Sequence, residues 1–118
     1  MRTILIVDAD TQTAQGVKEE VTRRGHVATV THDGAATLRH LDETVPSVVF
    51  LAIDQPQVHP EIIVGRLRNN PRYARTRLVL QLGLRTKMDL IMLAALGVSD
   101  FFTRGLLDVR EIVDRLLM

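Results

Sequence analysis

Short apolar runs alternate along the chain with longer segments in which apolar residues recur every three or four positions. The run Val48-Val49-Phe50-Leu51-Ala52 follows Pro46-Ser47, leads into Ile53-Asp54-Gln55-Pro56, and contains no polar residue. A stretch that is apolar on both alternating faces is the mark of a central strand in a parallel sheet, so a strand is predicted over Ser47–Ala52. Thr3–Val7, stopped by Asp8-Ala9-Asp10, predicts a first buried strand. His26–Thr31 sets Val27 and Val30 among smaller residues and predicts a second strand at an edge. Arg77–Leu82 and the short Phe101–Thr103 complete the set.

Between these runs the spacing changes to that of helices. Ala14, Val17 and Val21 place a helix over Thr11–Arg24, and Gly25 closes it as a C′ residue. Asp33-Gly34 turns the chain into a second helix through Ala35, Leu38 and Leu41. A third is predicted over Glu61–Asn69 with Pro60 at its first position. Gly65 weakens it by about 1 kcal/mol relative to Ala. A fourth is predicted over Lys87–Leu96, ended by Gly97. The last opens on the Asp108-x-x-Glu111 pattern of a capping box, and Val109, Ile112, Val113, Leu116 and Leu117 form its stripe. Five strands alternating with five helices over residues 1–118 predict one (βα)5 domain with a doubly wound parallel sheet. No C-cap follows Leu117, so either the chain ends there or a further segment follows.

Chemistry in such sheets gathers beyond the carboxyl ends of the strands. The residue at the mouth of the central strand is Ala52, whose methyl group can neither accept a phosphoryl group nor ligate a metal.

Composition narrows the function further. Hydrophobic residues are 46% and charged residues 25%, a soluble globular balance, while aromatics at 3% leave no platform for stacking bases or sugars. The net charge of +1 gives no general pull toward nucleic acid or membrane. There is no cysteine, hence no disulfide and no thiolate chemistry, which fits a cytoplasmic protein. No apolar stretch approaches the ~18–20 residues of a membrane span. His26, His32, His40 and His59 show no ligand spacing, and no metal site is expected. With no phosphate-binding glycine loop and no nucleophile–base pattern, the chain is not expected to be an enzyme. Arg66, Arg68, Arg72, Arg75 and Arg77 crowd one segment, but without stacking aromatics a solvated basic edge is the preferred reading over a nucleic-acid site.

Several landmarks together resemble the receiver domains of two-component response regulators. They are Ile4-Leu5-Ile6-Val7-Asp8, the Asp33-Gly34 turn, Pro46 through Leu51 with Pro56, Gly97-Val98-Ser99-Asp100-Phe101, and Thr103-Arg104. The resemblance spans the chain and implies a flavodoxin-like, CheY-like sheet in the order 2-1-3-4-5. It also implies a role in two-component signalling, the phosphorelay of that family. The residues that carry the family's chemistry are largely replaced. Of the paired acids that help hold Mg²⁺, Asp8 is present but the next residue is Ala9. The phosphoacceptor falls on Ala52, the phosphoryl-binding hydroxyl on Leu82, the invariant Lys on Arg104, and the following Pro on Gly105. Without that proline, the Arg104–Gly105 peptide is expected to be trans. The chain therefore reads as a degenerate pseudo-receiver, with no Mg²⁺ or other cofactor expected.

Three functions remain open at this point. The first is a non-catalytic module acting through protein–protein contact, independent of phosphorylation. The second is a phosphorylation-competent receiver in which a displaced acid, Asp54 or Asp10, works with Mg²⁺; Asp54 is otherwise a solvated turn residue and Asp10 a helix N-cap. The third binds a small ligand or nucleic acid at the strand mouth or the Arg-rich edge. Arg104 either closes onto Asp8 or Asp54 as an internal replacement for a bound cation, or points to water. The candidate interface for a protein partner or a second copy is the face of the fourth helix, fifth strand and last helix, with Met88, Leu90, Ile91 and Thr103.

Overall fold

The computed structural model describes residues 1–84 and 95–118. Five strands, β1 (Thr3–Val7), β2 (Val27–Thr31), β3 (Val48–Ala52), β4 (Arg77–Leu82) and β5 (Asp100–Thr103), form one parallel sheet in the order β2-β1-β3-β4-β5. This is the flavodoxin-like, CheY-like topology expected from the sequence. Helices α1 (Thr11–Arg23), α2 (Gly34–Glu43) and α3 (Pro60–Asn69) and a C-terminal helix (Val109–Leu116) connect and flank the strands. Of the fourth expected helix, all but the last residues, including Met88, Leu90 and Ile91, lies outside the described residues.

The sheet divides the core by side-chain parity. Leu5, Val7, Val49, Leu51, Leu78 and Leu80 face one side and pack with Leu41 of α2 and with Ile63 and Leu67 of α3. Ile4, Ile6, Val48, Phe50 and Val79 face the other side, against α1 (Ala14, Val17, Val21) and the C-terminal helix (Ile112, Val113, Leu116). All five residues of β3 are buried, as a strand covered on both faces must be. Alternation past the last apolar residues then turns Asp8 and Ala52 toward the α1 side of the sheet's carboxyl edge.

Side-chain capping sets the helix starts. Asp10 accepts from the backbone N–H groups of Gln12 and Thr13, and Asp33 from that of Ala36. Asp108 and Glu111 make the reciprocal capping box read from their spacing. Gly25, at φ +86°, leaves α1 in the left-handed region. Two single-turn 3₁₀ segments, Pro56–Val58 and Pro71–Tyr73, were not expected; they are too short to show a period, and each is started by a proline with fixed φ.

The second of these turns buries Tyr73 to 1% exposure, and its hydroxyl donates to the Leu41 carbonyl at 2.7 Å, tying the connection before β4 to α2. Tyr73→Phe removes this buried bond and is expected to lower stability by about 1–3 kcal/mol, read from the urea midpoint at unchanged m-value.

Candidate functional site

The ends of β1, β3, β4 and β5 converge at the carboxyl edge, and a single side chain joins them. Arg104 directly follows β5, where its backbone N–H donates to the Leu82 carbonyl at 2.7 Å. Gly105, at φ +87°, turns the chain immediately afterwards, and the described residues contain no cis peptide. So anchored, the guanidinium reaches back over the sheet edge. Its Nε donates to Asp54 Oδ2 at 2.9 Å and its Nη2 to Asp54 Oδ1 at 3.0 Å, a bidentate fork. Nη1 and Nη2 also approach Asp8 Oδ2 and Oδ1, each at 3.3 Å.

Gln81 completes the enclosure. Parallel register sets it beside Ala52, and it is 1% exposed. An amide nitrogen cannot accept from a guanidinium, so the amide is assigned with its oxygen toward Arg104, an orientation in which it accepts from Nη1 and Nη2 at 3.0 Å each. Gln55 holds the other side: its Nε2 donates to Asp8 Oδ1 at 2.6 Å while its Oε1 accepts from the Ala9 backbone N–H at 2.6 Å. The Asp10 backbone N–H adds a bond to Asp8 Oδ1 at 3.0 Å, and His32 Nδ1 lies 2.9 Å from the Asp8 carbonyl oxygen.

Asp8 is thus a carboxylate at 2% exposure, surrounded by donors. The Arg104 guanidinium is held far above its already high ordinary pKa, chiefly by its hydrogen bonds to Asp54 and, after opposition from burial, by those to Asp8. It stays charged at any pH at which the protein folds.

Measured against the sequence, Asp8, Arg104 and Asp54 come together, and the reading of Arg104 as pointing to water is replaced by the closed fork. Asp54 is likewise not a solvated turn residue; its side chain is 20% exposed and both oxygens face Arg104. Asp10 is the N-cap of α1 and lies 3.9 Å from Arg104 Nη1. Ala9 contributes only its backbone. Ala52, 2% exposed, ends β3 with a methyl group. Leu82 does not enter the polar cluster: parity turns its side chain into the core on the α2–α3 side. Thr103, half-buried, pairs with it on β5. The residues missed in sequence are Gln55, Gln81 and His32. Gln81, a polar residue set between Leu80 and Leu82 in a buried strand, was the available signal.

The arginines of the basic segment are dispersed rather than pooled. Arg66 pairs with Asp42 at 2.6 Å, Arg68 donates to the Thr76 carbonyl at 3.0 Å, and Arg77 donates to the Leu116 carbonyl at 2.9 Å at the end of the C-terminal helix. Arg72 lies over the Tyr73 ring.

Neither a protein-family model nor a curated protein matches the sequence. Solved structures do match the fold. The receiver domain of the Francisella response regulator 1452 superposes with a TM-score of 0.82 at 20% identity, over 99% of this chain and 94% of that one. The chemotaxis response regulator CheY4 of Vibrio cholerae gives 0.85 at 17% identity, over 99% and 97%. The signal receiver domain of a signal transduction histidine kinase from Syntrophus aciditrophicus gives 0.83 at 19% identity, over 99% and 88%. The chain therefore has the receiver fold.

Arg104→Met leaves the Asp8 charge buried without its cation. It is expected to cost about 3 kcal/mol, at the low end for a broken buried pair because Arg104 is itself 24% exposed, measured by urea unfolding. Acid should act elsewhere as well. The Asp10 carboxyl is held below its ordinary value of 3.8, first by the Thr13 hydroxyl, and that of Glu20 below 4.5, first by Arg23. Both contributions to stability are present above those ordinary values and are lost as pH falls through the lowered ones. Asp10→Asn should flatten the acid limb of the stability–pH curve.

Proposed function

We propose that this chain is a two-component-type signalling module that works through protein–protein contact, without catalysis and without aspartyl phosphorylation. The observation that supports this best is the mouth itself: Arg104 bridges Asp8 and Asp54 there, while β3 ends on Ala52. Acceptance of a phosphoryl group needs a free carboxylate in line with the donor, and a methyl group offers none. Mg²⁺ demands near-octahedral oxygen ligands and sheds water reluctantly. Here Asp8 already meets Arg104 and Gln55, and Ala9 brings no second carboxylate, so the donor set does not fit the ion. Asp54 is engaged through both oxygens and Asp10 by its capping bonds, which speaks against either as a displaced acceptor.

The partner, or a second copy, docks on the face that includes β5 and the C-terminal helix. Phe101 is 38% exposed and Leu106 71%, apolar groups two and three residues from Thr103 in sequence. The Arg-rich segment is a weaker candidate for nucleic acid, since Arg66, Arg68 and Arg77 already hold internal partners. No helix among the described residues is long and apolar enough to cross a membrane.

Incubated with Mg²⁺ and acetyl phosphate, the protein is expected to keep its unmodified mass, and beryllofluoride should leave the amide resonances of Asp8, Ala52 and Gln81 in place. A stoichiometric, alkali-labile phosphate would instead establish the phospho-switch. Leu106→Asp should abolish capture of the partner without changing thermal stability, as followed by pull-down and calorimetry.

A further inference from the structure

The opposite edge of the sheet carries a second surface, independent of the docking face above. β2 is an edge strand, Val27-Ala28-Thr29-Val30-Thr31, with no charge and no proline anywhere along it. Edge strands of soluble proteins are ordinarily blunted by such residues, because their free backbone groups invite pairing. The hydrogen-bond pattern fixes which groups are free. Val27 N–H donates to the Arg2 carbonyl at 3.0 Å, and the Thr31 carbonyl accepts from Asp8 N–H at 3.1 Å. The backbone groups of Val27, Thr29 and Thr31 therefore turn inward to β1. By alternation, the N–H and C=O of Ala28 and Val30 point outward, and among the described residues nothing pairs with them.

We propose that this edge pairs with the same edge of a second copy, antiparallel about a two-fold axis through Thr29, joining two sheets into one. In an antiparallel ladder, residues that exchange both backbone bonds alternate with residues that exchange none. An axis at Thr29 sets Ala28 opposite Val30 of the mate and Val30 opposite its Ala28, so every outward group of the strand is satisfied. The two Thr29 side chains meet as a close non-hydrogen-bonded pair, a favourable cross-strand combination. No like charges face each other along the strand. The occupant is a copy rather than a foreign peptide because this register is self-complementary, as a two-fold interface requires. The flank supports it too. Val27, 44% exposed, and Val45, 45% exposed, line a 160 Å³ notch on the α2 side together with Thr29, His40 and Thr44, and the mate would cover these two exposed valines.

Sedimentation equilibrium over a wide concentration range tests the pairing. The expected result is a rise from 13.2 kDa toward twice that mass, abolished by Thr29→Lys, which sets like charges across the axis while leaving thermal unfolding of the dilute protein unchanged. The chain has no cysteine, so Thr29→Cys gives an independent readout. A close non-hydrogen-bonded pair has Cα separations suited to a disulfide, and mild oxidation should cross-link this variant far faster than a Thr22→Cys control on the exposed face of α1. A single 13.2 kDa species at all concentrations, a dimer that survives Thr29→Lys, or cross-linking no faster than the control would each overturn the proposal.

Discussion

The Arg104 guanidinium is the constraint on which the mouth of this fold depends. It lies between Asp8 and Asp54 and also meets the Gln81 amide oxygen. A carboxylate as buried as Asp8 is tolerable only with a cation and a full set of donors around it. Arg104 supplies the cation and part of the donor set, which Gln55 and the Asp10 backbone N–H complete, and its planar fork can address two acids and an amide at once, which a lysine ammonium could not do with the same geometry. The loops after β1, β3 and β5 are thereby fastened to one another through a single side chain.

The sheet makes that meeting possible. Parallel register brings the ends of β1, β3 and β4 level. The parity that buries Val7, Leu51 and Leu80 on the α2–α3 side turns Asp8, Ala52 and Gln81 to the other side. The backbone bond from Arg104 to Leu82 and the left-handed Gly105 then set where the arginine starts. Small size at Ala52 matters as well, since it leaves the adjacent space to the Gln81 amide and the guanidinium. Charge, space and donors at the edge are mutually consistent in a single arrangement of these loops.

Most of the architecture was legible in the sequence because its signals are local: the unbroken apolar run of β3, the 3.6-residue stripes, the Asp10, Asp33 and Asp108 caps. What escaped is what depends on register between distant segments. Leu82 was assigned to the pocket by correspondence with a family position, whereas strand parity gives that place to Gln81. Asp54 could be read either as a partner for Arg104 or as an ordinary turn residue, because nothing near it in sequence decides between the two across fifty residues. Gln55 was hidden for the same reason. The Pro56 and Pro71 turns fell below the length at which periodicity can be recognised.

The central claim is that the protein carries its own cation at the strand mouth. The most direct measurement is the ¹⁵N–¹H signal of Arg104 Nε during a titration with Mg²⁺. The account predicts a shifted, slowly exchanging Nε–H resonance, protected by Asp54, that does not move as the ion is added into the millimolar range. A signal in rapid exchange with water, or one displaced by saturable Mg²⁺ binding together with the Asp8 and Gln55 resonances, would contradict it.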